Sequence, residues 1–317
     1  MDKPEKPLDL LIIGAGVAGL TAGIYAARLK LKTLILEDEI VGGQIQETYV
    51  VENYPGFSKI KGSELIDKMH EQTLLAGTAL DEFDKIVSVR LTPQEKIIET
   101  QTAIYRPAAV IIAAGMKRRE VPIPEEKKFR GKGIHYCELC DGHMYDGKVI
   151  AVVGGGNSAV GAANFLEKYA KKLYIIHHSD KFNADQIAQD QLFSNKKIEV
   201  LWNSKLIHGV GETSLSSVII ENQLTKETRT LEVSGVFVQI GSMPKTDLYK
   251  DYIRLNESGS IVATETCETN IPGVYAAGDI RTKPIRQLTT AAADGTVAAL
   301  LAEKYIIGLK KRKEVIA

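Results

Sequence analysis

No stretch of this chain is apolar for long enough to cross a bilayer. The longest apolar runs, such as residues 108–115, fall far short of the roughly 20 residues that a spanning helix needs. Cysteine is scarce too. Three in 317 residues cannot build a disulfide scaffold, so any cysteine pair is read as cytosolic and catalytic. Net charge is missing: 40 basic residues cancel 40 acidic ones, and no global field draws nucleic acid or an anionic membrane. The opening residues Met1-Asp2-Lys3-Pro4-Glu5-Lys6-Pro7 lack the apolar core of a secretory leader, so a cytoplasmic protein is expected. With 44% apolar and 25% charged residues, the chain has the make-up of a globular protein long enough for two domains.

Against these absences stand a cysteine pair and a repeated glycine motif. Cys137-Glu138-Leu139-Cys140 has the spacing of a pair that cycles between dithiol and disulfide. Near the start, residues 8–13 read as a buried strand that runs into Gly14-Ala15-Gly16-Val17-Ala18-Gly19. A helical pattern over 20–29 and a strand over 33–36 ending at Glu37 follow. Such a strand–turn–helix–strand unit holds a dinucleotide. Its glycines permit the tight turn, the close approach of a pyrophosphate and close helix packing, and an acid at the second strand's end takes a ribose hydroxyl. The pattern recurs with a strand over 149–153, the turn Gly154-Gly155-Gly156-Asn157-Ser158-Ala159, a helix over 162–169 and a strand over 173–176. Glu37 follows Gly14 at the same separation as His177 follows Gly154. One glycine motif is weak evidence, but two in matching register define an architecture.

Each copy closes with an apolar strand that runs into glycine and then proline, at residues 109–115 before Pro122 and Pro124 and at 236–241 before Pro244. These read as linkers. The expected fold is α/β with two Rossmann-like domains of the three-layer ββα type, the second inserted into the first. The expected limits are 1–116 and 245–317 for the first domain and 117–244 for the second.

Taken together, the segments resemble the low-molecular-weight thioredoxin reductases over essentially the whole chain. The matching pieces are Gly14 to Gly19, Gly42-Gly43-Gln44, Glu52-Asn53-Tyr54-Pro55-Gly56, the cysteine pair with Asp141-Gly142 after it, the second glycine turn, Gly278-Asp279, and Arg286-Gln287 before a small-residue helix. The resemblance implies a homodimer, thioredoxin as substrate, and FAD in the first domain. Gly14, Gly16, Gly19, Gly43, Gln44, Asn53, Gly115, Gly278, Arg286 and Gln287 would line the cofactor, with Glu37 on the adenosine ribose and Asp279 on the ribitol–pyrophosphate side. It also implies that Cys140 takes electrons from the flavin, that Cys137 attacks the substrate disulfide, and that Asp141 shuttles a proton. Rotation of the domains would expose the pair.

Plainer readings stand beside these. Asp141 and Gly278-Asp279 also suit helix capping or a turn. Zinc is a rival use of the pair, since His135 and His143 flank it, but Cys267 is the only other cysteine and stands isolated. Cys267 itself reads as an ordinary small side chain.

The second glycine copy departs from the family. NADPH-dependent members carry His-Arg-Arg at the strand end and a further Arg four positions on, which hold the 2′-phosphate. Here the positions read His177-His178-Ser179, with Asn183 in place of the last arginine. No charge-assisted clamp is left for a phosphate. Two acids usual in the following helix are replaced by Gly161 and Ala162. The chain thus resembles the subgroup that includes ferredoxin-dependent flavin thioredoxin reductases, and reduced ferredoxin is the favoured donor. NADPH held through other cations such as Lys181, NADH, and a non-enzymatic thiol redox sensor are the alternatives. Lys117-Arg118-Arg119, Lys127-Lys128 and Arg130 are basic candidates for a ferredoxin contact, though such runs are more often solvated surface.

Overall fold

Apolar runs that stop at glycine form the central strands, and their alternate side chains sort into two cores. In the computed structural model, which describes residues 3–48 and 51–316, the chain divides into two units. One comprises Met1–Lys117 and Met243–Ala317; the other is the intervening Arg118–Ser242.

The first unit begins with β1 (Glu5–Ile13), α1 (Val17–Arg28) and β2 (Thr33–Glu37). A short 3-10 turn at Gly43–Glu47 leads to α2 (Gly62–Ala76) and β3 (Ala79–Glu82). The hairpin β4 (Ile86–Leu91) and β5 (Lys96–Thr100) precedes β6 (Ile104–Ile112). β1 runs parallel to both β2 and β6, with Ile12 opposite Ile35 on one side and Ile111 on the other. Leu10 and Ile12 face one core, shared with Ala18 and Leu20 of α1; Leu11 and Ile13 face a second, shared with Ile86 and Val89 of β4. Strands of a parallel sheet are buried on both faces, which is why β1 reads as an unbroken apolar run rather than an alternating one.

The chain leaves this unit through β7 (Met116–Arg118). The second unit then holds α3 (Glu126–Phe129), β8 (Ile134–His135), α4 (Glu138–Asp141) and a 3-10 turn at Gly142–Tyr145. The second nucleotide-type motif follows as β9 (Val149–Val153), α5 (Asn157–Leu166) and β10 (Lys172–Ile176). Next come α6 (Gln186–Ser194), β11 (Ile198–Leu201), the antiparallel strands β12 (Ser204–Val210), β13 (Ser217–Asn222) and β14 (Thr228–Glu232), and β15 (Gly235–Val238). A parallel sheet in the order β11-β10-β9-β15-β8 forms the middle layer. Ile150 and Val152 pack on the Val160 and Ala163 face of α5; Ala151 and Val153 pack on Leu206, Val218 and Ile220 of the three antiparallel strands. Helix, parallel sheet and antiparallel sheet are the three layers.

The chain returns through β16 (Ser242–Pro244), which pairs with β7 as a two-stranded ribbon. β17 (Val274–Ala276) then lies parallel to β6, and α7 (Leu288–Ile316) follows. One helix differs from the sequence reading. α5 starts at Asn157, directly at the glycine turn, and ends at Leu166 rather than running over 162–169. Gly156, Asn157 and Ser158 add nothing to an apolar stripe, so periodicity detects the helix only one turn late.

Candidate redox site

In the first unit the carboxyl ends of β1, β6 and β17 lie side by side, the place where open α/β sheets bind ligands. The Ala113 N–H donates to the Ile13 carbonyl and the Ala277 N–H to the Ile112 carbonyl, which locks the three ends in register. Gly14 has φ +103°, and a Cβ there would lie 2.5 Å from the Ala113 carbonyl oxygen. A Cβ on Gly19 would lie 1.8 Å from the Gly14 carbonyl oxygen. These two glycines are needed by the protein itself. Gly16 is different: among the described residues a Cβ there meets nothing within 4 Å, and the same holds at Gly43 and Gly115. Gly16 is also the N-cap of α1 and makes no side-chain capping bond, so the first N–H groups of that helix are left for a ligand.

The remaining first-unit candidates converge on this rim. Glu37 is buried, accepting from the Ala15 N–H at 2.8 Å and from the Glu39 N–H at 3.0 Å. Burial outweighs those bonds and raises its pKa. Gln44 donates to the Met116 carbonyl at 2.5 Å, next to Gly115. Asn53 donates to the Gln287 side chain at 3.4 Å, and Arg286 donates to the Asp279 carbonyl at 3.3 Å. Gly278, with φ +78°, packs on Ala18 of the first glycine turn, and its N–H donates to Asp294. Asp294 carries no signal in the sequence. It accepts bidentately from Arg281 at 2.7 and 2.8 Å and from Lys283 at 2.8 Å. An uncapped helix N-terminus, open glycines, and a buried acid at the second strand's end fit the pyrophosphate and ribose of FAD.

In the second unit, β8 runs straight into the cysteine pair. Cys137 and Cys140 form a disulfide, with Cα atoms 5.3 Å apart. Both sulfurs are thereby engaged with each other. Cys137 is the N-cap of α4, and its Sγ accepts from the Cys140 N–H at 3.2 Å. Glu138, between the cysteines, accepts from Gln239 at 2.8 Å, and burial raises its pKa. Gln239 also closes over Gly154, so the pair is tied to the carboxyl ends of β9 and β15. Asp141 makes no capping bond; its carboxylate instead meets His135 Nδ1 at 3.2 Å. His135 Nε2 lies 2.6 Å from the Tyr145 hydroxyl. Sequence spacing could not pair His135 with Asp141, because the pair forms only when the strand-to-helix turn folds back. Cys267 is buried in the first unit's core, where burial pushes its thiol up to about 12.

The second glycine turn repeats the geometry of the first. Gly156 caps α5 with no side-chain bond, at φ −93° and ψ −175° against −74° and −175° at Gly16. His177 takes the place of Glu37. Its ring packs on Gly155, Nε2 hydrogen-bonds the Lys181 carbonyl at 3.0 Å, and burial lowers its pKa. Among the described residues, its buried Nδ1 has no hydrogen-bond partner. His178 and Asn183 are exposed where the family's arginines would stand.

Comparison with known proteins agrees with this layout. The family model for pyridine nucleotide-disulphide oxidoreductases matches residues 8–295. A 34.2 kDa protein in the rubredoxin operon of Clostridium pasteurianum is 56% identical, over 96% of this chain and 99% of its own. The thioredoxin reductase of Peptoclostridium acidaminophilum is 41% identical, over 95% and 98%. Among solved structures, thioredoxin reductase from Streptococcus pyogenes superposes with a TM-score of 0.91 at 37% identity, covering 95% of this chain and 99% of the other. A ferredoxin-flavin thioredoxin reductase from Clostridium acetobutylicum gives 0.53 at 29% identity, over 96% and 99%. With its two Rossmann-like units and its cysteine pair, the chain belongs to the pyridine nucleotide-disulphide oxidoreductase family, as an FAD-dependent, thioredoxin reductase-like disulfide reductase.

Proposed function

We propose that this enzyme reduces the disulfide of a thioredoxin, using Cys137 and Cys140, with electrons that do not come from NADPH. The observation that carries the reading is the Cys137–Cys140 disulfide, seated at the carboxyl ends of the second unit's parallel strands. FAD, when bound, supplies the electron pair. Gly14, Gly16, Gly19, Gly43, Gln44, Asn53, Gly115, Gly278, Arg286 and Gln287 form its cradle, Glu37 holds the ribose, and Asp279 lies on the ribitol–pyrophosphate side. Cys140 receives the electrons, Cys137 attacks the substrate disulfide, and Asp141 handles the proton. Assembly as a homodimer in the cytoplasm accompanies this reading; no described helix is long and apolar enough to cross a membrane.

The donor follows from what the second unit lacks. A 2′-phosphate wants a bidentate cation, and His178, Ser179 and Asn183 offer none. Reduced ferredoxin is the donor favoured by those missing arginines, and the ferredoxin-flavin thioredoxin reductase among the structural matches supports it. One of the candidate basic contacts, Arg130, is engaged by Glu120 and Glu126. A second reading has its own observation. The uncapped α5 N-terminus and the unpartnered His177 Nδ1 suit the pyrophosphate and an unphosphorylated ribose of NADH. Anaerobic titration of the flavin absorbance decides. Bleaching by ferredoxin or by NADH, with NADPH slow, is the expected result, and rapid bleaching by NADPH refutes the donor assignment. Cys137→Ser and Cys140→Ser should each abolish thioredoxin reduction, and activity retained in either overturns the disulfide mechanism.

A further inference from the structure

We propose that His135 is a positioning residue for the proton that the dithiol gives up, acting through Asp141 and held in its tautomer by Tyr145. This rests on the reading of Cys137 and Cys140 as the reducing pair. His135 lies two residues before Cys137 and Asp141 lies one after Cys140, so the residues that bracket the pair meet in space at 3.2 Å. Their side chains are only 3% and 10% exposed. On the far side of the ring, Nε2 lies 2.6 Å from the Tyr145 hydroxyl, and Phe237 of β15 stacks on the imidazole at 5.5 Å between centroids.

The hydrogen-bonding capacities leave one arrangement for a neutral imidazole. Burial, and then the Asp141 charge, push the Tyr145 hydroxyl well above its ordinary value, so it keeps its proton. It donates to Nε2, and Nδ1 therefore carries the ring proton and faces the Asp141 carboxylate at 3.2 Å. Among the described residues, the titratable groups in contact with His135 are Asp141 and Tyr145. Phe237 on β15 carries no charge, and the Lys148 ammonium lies over the Tyr145 ring at 5.4 Å. An N–H turned toward the buried carboxylate holds it in place beside the cysteine pair.

The exchange then balances within the pair. The Cys137 thiol passes its proton to Asp141, steadied by His135, while its sulfur bonds to one substrate sulfur. The substrate S–S bond breaks, and the leaving sulfur takes that proton. The Cys140 thiol next attacks the mixed disulfide, and its proton reaches the second substrate sulfur by the same route. Two electrons leave the dithiol, two product thiols carry its two protons, and no further reductant enters.

The test uses the FAD-loaded enzyme, reduced, desalted, and mixed with bis(2-hydroxyethyl) disulfide from about pH 5.5 to 9. His135→Leu removes the N–H that faces Asp141, His135→Gln supplies another in its place, and Tyr145→Phe loses only the hydroxyl. For His135→Leu the single-turnover rate near neutral pH should fall by about tenfold or more, recovering as alkali ionises the thiols, and His135→Gln should regain much of the loss. Tyr145→Phe should shift the profile the same way by less. A wild-type rate and profile in His135→Leu overturns the proposal. Should that variant fail to fold, judged by its melt and flavin content, a wild-type profile in Tyr145→Phe overturns it instead. Turnover surviving in Cys137→Ser or Cys140→Ser would instead refute the underlying reading, so the two failures are separable.

Discussion

Asp294 shows what one buried carboxylate does here. It holds Arg281, Lys283 and the Gly278 N–H at once, and its side chain is 7% exposed against 4% for Arg281. Burial by itself pushes the Asp294 pKa up, but the hydrogen bonds from Arg281, Lys283 and Gly278 prevail and the net shift is downward. Asp294→Ala leaves the buried guanidinium to the Thr282 carbonyl and the exposed Glu265 carboxylate 3.9 Å away. It should lose about 3–5 kcal/mol, measured as a lowered denaturant midpoint. The sign of the pH dependence follows from the depressed value. Asp294 contributes its stability in full above its unfolded pKa of about 4 and loses it as pH falls through the folded value. The stability gap between wild type and Asp294→Asn should therefore close in acid, and a gap that widens would contradict the arrangement. None of this was legible in the sequence, because Arg281 and Asp294 belong to different elements and meet only where β17 delivers the chain to α7. The cysteine pair was legible, since its spacing is local. Its partners His135 and Gln239 were not, since each reaches the pair through folding of the unit.

At the scale of the element, the two glycine turns separate fold from ligand. Gly19→Ala would drive a methyl group into a backbone oxygen 1.8 Å away, which cannot yield as a side chain could. A cost of about 1–3 kcal/mol or more is expected. Gly16→Ala meets nothing within 4 Å among the described residues, and Gly16 has an ordinary φ of −74°. Its apo protein should melt like wild type while its affinity for added FAD drops, as read by flavin fluorescence. Equal losses of stability in both variants would show that Gly16 serves packing rather than the cofactor. The strand–turn–helix order of both copies was readable because parallel strands are continuous apolar runs and glycine punctuates them. The start of α5 was misread by one turn, because the helix begins on residues that bury no stripe.

For the whole molecule, the cores decide what folds alone. Every residue of the two clusters that include Ile150 and Ala151 comes from the second unit, and those around Ile12 and Leu11 come entirely from the first. A fragment of residues 118–242 should therefore unfold in one cooperative transition by circular dichroism. Residues 1–117 alone should not, because β17 and α7, which complete the sheet and its helical cover, arrive from after residue 242. A cooperative melt for that N-terminal piece would disprove the argument. By itself, the sequence determined the family, the α/β class, the redox pair and the absence of arginine at positions 177–179 and 183. Those signals are local, written in the spacing of glycines, cysteines and arginines within a turn or two. Only the tertiary structure decided which acid faces which base around the disulfide and which glycines face open space. Contacts of that kind join segments far apart in sequence, and no local periodicity encodes them.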